Sequence, residues 1–183
     1  MELFQHEFES PVGLVSVVSD GTNLRAIDFE GHEPRLERLL ARQYGDYTIH
    51  ANRDPGDAVA RLKDYFAGDL HAVDGLAVAT NGTAFQQQVW AALRTIPAGT
   101  TVSYGTIAAR IGRPTAFRAV GLANGSNPIA IVVPCHRVIG SDNSLTGYGG
   151  GIERRQWLLR HEGVVLAADA PPSRRSQLSL LTV

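Results

Sequence analysis

The sequence predicts two parts of different fold class: an N-terminal α/β part, an antiparallel sheet with helices, and a mainly α C-terminal part with a helix-turn-helix. Apolar residues alternate between turn signals through residues 2–30, as in strands, and recur at helical spacing after residue 83. The charge also changes sign: residues 1–83 hold 7 Lys+Arg and 14 Asp+Glu, net −7, whereas residues 84–162 hold 8 Arg and 3 acids, net +5. A polyanionic partner is therefore expected to meet the second part.

Composition limits the functions that the chain can have. With 44% hydrophobic residues the 183-residue chain can bury a core, and no window approaches the roughly 18 consecutive apolar residues of a membrane span. The N-terminus has no basic region, so we expect no signal peptide, no membrane partner and a cytoplasmic location. A single cysteine excludes an internal disulfide and multi-cysteine zinc sites. We therefore expect neither a metal nor a cofactor.

The N-terminal part is predicted to contain strands followed by two helices. A Pro-containing turn and an Asp-Gly hairpin signal interrupt the apolar runs of residues 2–30. Apolar residues at helical spacing then predict helices at residues 34–44 and 57–67. The histidines of this part are scattered along the chain, so we expect them to be surface residues and not metal ligands.

A composition change at residues 69–83 predicts a linker, because short apolar pieces alternate there with Gly and Asn. The charge balance changes sign just after it. The predicted division is an N-terminal α/β domain at residues 1–77, a C-terminal domain at residues 78–168 and a tail at residues 169–183.

Three capped helices are predicted at the start of the C-terminal part. Thr83 and Gln86 form a capping box for the first, Ser103 caps the second, and Thr115 caps the third, which extends to about Asn124. Two short helices joined by a Gly-containing turn outline a helix-turn-helix. The third helix is rich in small residues, which favour close approach either to DNA or to a neighbouring helix. They are Ala116, Ala119, Gly121, Ala123 and Gly125.

The only cysteine is the candidate reactive group. A β-branched run at residues 129–133 predicts a buried strand, which ends at Pro134 and brings Cys135 into a turn with His136 next to it. A thiolate is a strong nucleophile, and the histidine can accept its proton directly or through water. Glu162, at the end of the predicted last helix, is the candidate acid that orients the histidine. The alternative is an inert core cysteine.

The motif Pro134-Cys135-His136-Arg137-Val138 resembles the active-site motif of the O6-alkylguanine-DNA alkyltransferases, the methylated-DNA–protein-cysteine methyltransferases. Further matches follow the order and spacing of that family over residues 83–163, and the N-terminal half resembles it loosely. They are Phe85-Gln86-Gln87-Gln88-Val89-Trp90, Pro97-Ala98-Gly99, Ser103-Tyr104, Arg118-Ala119-Val120-Gly121, Asn127-Pro128, Tyr148-Gly149-Gly150-Gly151 and Trp157-Leu158-Leu159-Arg160-His161-Glu162-Gly163.

This resemblance implies a suicidal DNA repair protein. The N-terminal domain would be ribonuclease H-like and mainly structural. The helix-turn-helix would enter the minor groove of double-stranded DNA that carries alkylated bases. O6-alkylguanine would be flipped out of the duplex, and its alkyl group would pass irreversibly to Cys135, so that each molecule acts once. We expect a monomer. O4-alkylthymine as a second substrate and cooperative binding to DNA are both compatible with the sequence.

The resemblance also implies a catalytic set of five residues. Glu162, His136 and a water would remove the thiol proton of Cys135. Tyr104 would donate a proton to guanine N3, and Asn127 would hold the turn before the active-site strand.

The remaining implied residues contact DNA or line the pocket. Arg118 would be an arginine finger that fills the position of the flipped base. The other implied DNA contacts are Ala119, Gly121, Ser103 and Thr115. The implied pocket residues are Pro134, Val138, Tyr148, Gly149 and Gly150, with the Cys135 and Val138 carbonyls facing the exocyclic amine and backbone N–H groups near Tyr148 and Gly149 facing O6.

Two positions depart from the family pattern. Gly149 replaces a serine of some relatives, so a hydroxyl contact is lost but a backbone donor remains. Phe117 stands where a small residue is common, so its side chain either packs away from DNA or widens the contact. Three alternatives are weighed against repair: a lesion binder without a nucleophile, a cysteine hydrolase, and a transcription regulator.

Overall fold

A four-stranded sheet forms the first layer of the fold. The computed structural model describes residues 1–51, 56–142, 144–145 and 148–169. The strands are β1 (Glu2–Ser10), β2 (Gly13–Ser19), β3 (Leu24–Phe29) and β4 (Thr48–Ala51), in the order β3-β2-β1-β4. The strands predicted within residues 2–30 and the turns between them are confirmed.

The fourth strand makes the sheet mixed. β1 pairs antiparallel with β2, and β2 with β3, whereas β4 pairs parallel to β1. The predicted antiparallel sheet is therefore wrong at this edge. A parallel pair needs a long connection, which α1 (Glu33–Tyr44) supplies. β4 has only four residues and no alternation of buried and exposed positions, so its sequence signal is limited to the strand propensity of Thr48 and Ile49.

Helices cover both faces of the sheet. On one face α1 packs Leu36 and Leu40 against side chains of β1, β2 and β3. On the other face α2 (Ala58–Phe66) contributes Leu62 and Tyr65 to the largest buried cluster, which also contains residues of the C-terminal half. Both helices begin and end within one residue of their predicted bounds. A continuous core therefore joins the two halves of the chain.

The outer edge of β3 is covered by two segments of the same chain. Residues 77–79 bond to Leu24, with Leu24 N to Ala77 O at 2.8 Å. The segment that leads to the cysteine bonds to Ile27, with Ile27 N to Pro128 O at 2.9 Å and Ala130 N to Ile27 O at 3.1 Å. Covering this edge satisfies its backbone groups, and it fixes the active-site segment to the sheet.

Three helices form the first half of the C-terminal part. They are α3 (Ala84–Leu93), α4 (Tyr104–Arg110) and α5 (Phe117–Gly125). The capping box of Thr83 and Gln86 and the Ser103 cap are confirmed. The Thr115 cap is wrong, because α5 begins later, its N-cap is Ala116, and no side chain caps it. α5 packs against both α3 and α4.

The predicted strand at residues 129–133 is also wrong. This segment makes only an isolated bridge between Ile27 and Ile129, and it then folds into tight turns. Val133 N bonds to Ile129 O at 3.0 Å, and Ile131 takes a φ of +69°, which β-branched residues rarely adopt. The apolar run is buried as predicted, but turns and not strand pairing satisfy its backbone.

The chain ends in a short strand and a helix. β6 (Val138–Ile139) pairs parallel with β5 (Val102–Ser103). α6 (Ile152–His161) stops at Gly163, whose φ of +85° suits a glycine. A 3-10 turn, Ala167–Asp169, ends the described chain, so the predicted tail lies almost wholly outside the described residues. None of the helices described within residues 1–169 is long and apolar enough to cross a membrane.

Candidate active site

Cys135 begins a 3-10 turn, Cys135–Arg137, directly after Pro134. The side chain is 6% exposed and its thiol is free. Burial raises the pKa of the thiol, and a hydrogen bond with Asn127 and the charges of Arg35 and Arg155 only partly oppose this. The thiol is therefore protonated at rest, and a base must remove its proton before the sulfur can act as a nucleophile.

His136 is fully buried and paired with Glu162. Its Nε2 lies 2.8 Å from Glu162 Oε1. Burial lowers the pKa of His136, and this outweighs the raising effect of Glu162, so the ring is neutral at rest. Since Nε2 faces a carboxylate, the hydrogen bond assigns the proton to Nε2 and leaves Nδ1 as an acceptor. Nδ1 is buried and has no hydrogen-bond partner among the described residues.

Glu162 caps the C-terminus of α6 and is 4% exposed. Its Oε1 accepts from Tyr65 at 2.7 Å and from Arg137 Nη2 at 2.9 Å, and its Oε2 accepts from Arg137 Nε at 2.8 Å. Burial alone would raise the pKa of Glu162, but hydrogen bonds from the His136 ring and from Arg137, together with the Arg137 charge, hold it well below its usual range. These donors offset the unfavourable position of a carboxylate at a helix C-terminus.

Arg155 of α6 holds the backbone of the 3-10 turn that begins at Cys135. It is completely buried, its Nε donates to the backbone oxygen of His136 at 3.2 Å, and its Nη2 donates to the backbone oxygen of Val138. Its guanidinium also lies 5.8 Å from the ring centroid of Tyr148. One side chain thus fixes the backbone on both sides of Arg137.

Asn127 organises the turns that precede Cys135. Its Nδ2 donates to Val133 O at 2.8 Å and to Ile129 O at 3.3 Å, and its Oδ1 accepts from Ile129 N at 3.0 Å. Arg35 of α1, ion-paired with Asp28, donates to Asn127 O at 2.9 Å. These contacts replace the strand pairing that the sequence predicts for this segment.

Tyr104 and Ser103 are brought beside the active-site turn by the two-stranded sheet. Ser103 pairs with Ile139 in β5 and β6, and Tyr104 follows as the first residue of α4. The half-buried Tyr104 ring faces Gly121 of α5: a Cβ at position 121 would lie 3.9 Å from it. α4 and α5 therefore meet next to Val138, three residues after the cysteine.

The predicted DNA-contacting residues lie on the open side of α4 and α5. Arg118 and Ala119 are exposed on α5, Thr115 is exposed in the turn before it, and Ser103 and Gly121 are partly exposed. The small residues of α5 differ in their burial. Ala123 is buried and its carbonyl accepts from Trp90 of α3 at 2.9 Å, whereas Ala119 faces solvent.

Of the predicted pocket residues that follow Val138 in the chain, Tyr148 lies near Cys135. Burial, and then the nearby Cys135, raise the pKa of Tyr148 well above its ordinary value, and its buried hydroxyl has no partner among the described residues. Gly149 lies against Arg35, and Gly150 against Phe29, where an added Cβ would come within 2.9 Å of the ring. A side chain at either position would therefore press on one of these neighbours.

Four residues of the site are absent from the sequence predictions. Tyr65, Arg35 and Arg155 lie on helices far from the cysteine in sequence, and Asn124 of α5 donates to Cys135 O at 3.3 Å. The available signal was chemical: a tyrosine or arginine on an apolar helix face must find a hydrogen-bond partner when buried. That signal predicts a partner but does not identify it.

We predict that acid destabilises the fold through His136. Its folded-state pKa lies below the unfolded value of about 6.5, so the unfolded chain binds the proton first and the free energy of unfolding falls as pH drops below that value. One group contributes at most about 1.4 kcal/mol per pH unit. Urea unfolding of the wild type and of His136→Asn at about pH 7.5, 6 and 5 should give a shallower pH slope for the variant. Equal slopes would contradict the buried neutral histidine.

Comparison with known proteins agrees with this geometry. The family description of the 6-O-methylguanine DNA methyltransferase DNA-binding domain matches residues 84–164. The methylated-DNA–protein-cysteine methyltransferase of Salmonella typhimurium is 50% identical over 169 residues, 91% of this chain and 99% of that protein. That of Mycobacterium tuberculosis is 48% identical over 164 residues, 88% and 93% of the two chains.

Solved structures agree as well. The crystal structure of Mycobacterium tuberculosis OGT in complex with DNA is similar with a TM-score of 0.73 and 43% identity, covering 92% of this chain and 96% of that one. The mixed sheet with its helices is thus the OGT fold. The chain belongs to the methylated-DNA–protein-cysteine methyltransferase family.

Proposed function

We propose that this chain repairs DNA by transferring the alkyl group of O6-alkylguanine to Cys135, once per molecule. The observation that carries the proposal is the buried pair of His136 and Glu162, 2.8 Å apart, next to the only cysteine. The pair provides a neutral acceptor nitrogen whose protonated form a carboxylate stabilises. A buried thiol needs such a base.

The proposed reaction is a one-step displacement. The thiol proton passes through a water to Nδ1 of His136, and Glu162 stabilises the imidazolium that forms. The thiolate attacks the alkyl carbon, the bond between that carbon and O6 breaks, and its electron pair moves onto guanine. Tyr104 donates toward N3 and makes the base a better leaving group. The thioether is stable, so the protein is consumed.

The proposed pocket receives the flipped base beside Tyr148, Gly149 and Gly150. The Cys135 carbonyl accepts from Asn124 Nδ2 and from the backbone N–H of Val138, so the exocyclic amine of guanine is proposed to replace one of these donors. The Val138 carbonyl accepts from Arg155 and has a second lone pair that can accept from the amine. Backbone N–H groups near Tyr148 and Gly149 are proposed to face O6. Buried polar atoms of Asn124, His136 and Tyr148 that find no hydrogen-bond partner in the described part of the chain support a polar ligand here.

We propose that α4 and α5 act as a helix-turn-helix in the minor groove of double-stranded DNA, with Arg118 replacing the flipped base. The exposed face of α5 supports this use, because Arg118, Ala119 and Leu122 are free of the core. Phe117 is 49% exposed and lies 5.9 Å from the Arg118 guanidinium. It does not pack away, so we infer that it widens the contact as an apolar wedge.

The wider architecture follows the same proposal. Residues 1–77 are proposed as a ribonuclease H-like domain and residues 78–168 as the domain that binds DNA and transfers the alkyl group. The protein is proposed to act as a cytoplasmic monomer. A lesion binder without a nucleophile is not favoured because Cys135 is present, and a cysteine hydrolase or a transcription regulator would leave either α5 or Cys135 without a use.

Mass spectrometry of the protein tests the proposed transfer of the alkyl group to Cys135. Incubation with a duplex that contains O6-methylguanine is expected to add one methyl group to the peptide containing Cys135, in stoichiometric yield. Cys135→Ser is expected to abolish transfer while lesion binding remains, since serine is too weak a nucleophile at neutral pH. Multiple turnovers, or active protein without a mass change, would refute the proposal.

The role of Arg118 is tested by comparing two substrates. Arg118→Ala is expected to slow transfer from duplex DNA by about ten-fold or more, but to leave transfer from free O6-benzylguanine nearly unchanged, because a free base needs no flipping. Phe117→Ala should change the same duplex reaction in the same direction, by a smaller factor. The transfer rate constants on both substrates are the measurement.

The matched control is Arg38→Ala, which removes an exposed arginine of α1 on the N-terminal half. It should leave both rate constants at the wild-type value. Equal losses on duplex and free base for Arg118→Ala would show that the arginine supports the fold and does not act on DNA.

A further inference from the structure

Tyr65 connects the N-terminal half to the proton relay. It lies in α2, is completely buried, and donates its hydroxyl to Glu162 Oε1 at 2.7 Å, across 97 positions of sequence. The N-terminal half is predicted from the sequence to be structural. This bond instead places one of its side chains on the carboxylate that faces His136.

The oxygen that Tyr65 contacts is the one that His136 uses. Glu162 Oε1 accepts from Tyr65 at 2.7 Å, His136 Nε2 at 2.8 Å and Arg137 Nη2 at 2.9 Å. One carboxylate oxygen offers about two lone-pair sites, so three donors compete for it. A stronger bond from one donor weakens the acceptor for the others.

We propose that Tyr65 is a positioning residue for alkyl transfer: its hydroxyl competes with His136 for Glu162 Oε1 and so moderates the strength of the hydrogen bond between Glu162 and His136. It thereby sets the pH range in which His136 accepts the proton of Cys135. This inference rests on the proposed function and adds a residue from the N-terminal half to its machinery.

Charged and titratable groups surround the hydrogen bond between Tyr65 and Glu162. They are His136, Arg137, Arg155, Cys135, Tyr148 and His161. Arg137 and Arg155 oppose a proton on His136, whereas Glu162 favours it. His161 contacts the Tyr65 ring edge-to-face at 5.2 Å, and its Nε2 lies 2.7 Å from Tyr65 O. Of these groups, Arg137 and His136 bond to the same oxygen as Tyr65.

Packing alone does not explain the tyrosine. Its ring is held between Phe66 and His161, and a phenylalanine would keep both contacts. The hydroxyl is the only part that reaches Glu162. Tyr65→Phe therefore removes the proposed effect and leaves the ring packing in place.

The test measures two pH profiles on the full chain. The first is the rate constant for transfer from free O6-benzylguanine between about pH 5 and 9, and the second is the titration of the His136 ring followed by NMR without substrate. In Tyr65→Phe, Glu162 accepts more strongly from His136, so the His136 pKa rises. The acid limb of the rate profile should then move up by about half a pH unit or more.

Tyr44→Phe is the matched control, since Tyr44 also donates a partly buried hydroxyl, to Ala79 O at 3.1 Å, but far from Glu162. It should leave both profiles at their wild-type positions. A protein with difluorotyrosine at position 65 provides a second probe that keeps the hydroxyl. Its more acidic phenol donates more strongly, so both profiles should move down.

The shifts of the two pH profiles support or overturn the proposed role of Tyr65. Opposite shifts in Tyr65→Phe and the fluorinated protein support the inference, and profiles identical to those of Tyr44→Phe overturn it. If Tyr65→Phe does not fold, the fluorinated protein alone decides by the sign of its shift. Failure of the proposed function is recognised separately, because wild-type protein would then not react with O6-benzylguanine while the His136 titration would still report on Tyr65.

Discussion

The buried carboxylate of Glu162 is the constraint on which the site depends. A charge without partners in this position would cost several kcal/mol, and the chain offsets this with four hydrogen bonds from Tyr65, His136 and Arg137. These donors come from a helix of the N-terminal half and from the active-site turn. The carboxylate is therefore satisfied only when both halves of the fold are assembled, and the histidine is oriented only when the carboxylate is satisfied.

The active-site turn itself is held by side chains and not by a sheet. Asn127 bonds to the backbone on both sides of the turns, Arg155 supports the segment that follows Cys135, and Arg35 reaches across from α1. Such a turn can expose a carbonyl or a thiol to a ligand at positions where a strand would use its backbone for pairing. Support from two helices, α1 and α6, and from the Asn127 side chain keeps the side chains of the site in place, which is the condition for fast transfer in the proposed reaction.

Local sequence patterns predicted helix caps and helix bounds correctly where the residues of the helix itself determine them. The capping box of Thr83, the Ser103 cap and the bounds of α1 and α2 follow from sequence alone. The run at residues 129–133 is equally apolar and β-branched, yet it forms turns, because the Asn127 side chain and the β3 edge supply its partners. Cys135, His136 and Glu162 could be found through their motifs. Tyr65 could be placed on a buried helix face, but its partner lies 97 residues away and leaves no local trace.

The charge state of Glu162 is the most direct test of this arrangement. The side-chain carboxyl carbon can be followed by NMR while the pH of the folded protein is lowered. The donors predict that its chemical shift stays at the ionised value from about pH 8 to about 4.5, a pH at which an ordinary glutamate is about half protonated. A titration midpoint near pH 6 would contradict the account, since Glu162 would then be neutral in part of the working range and unable to stabilise a protonated His136.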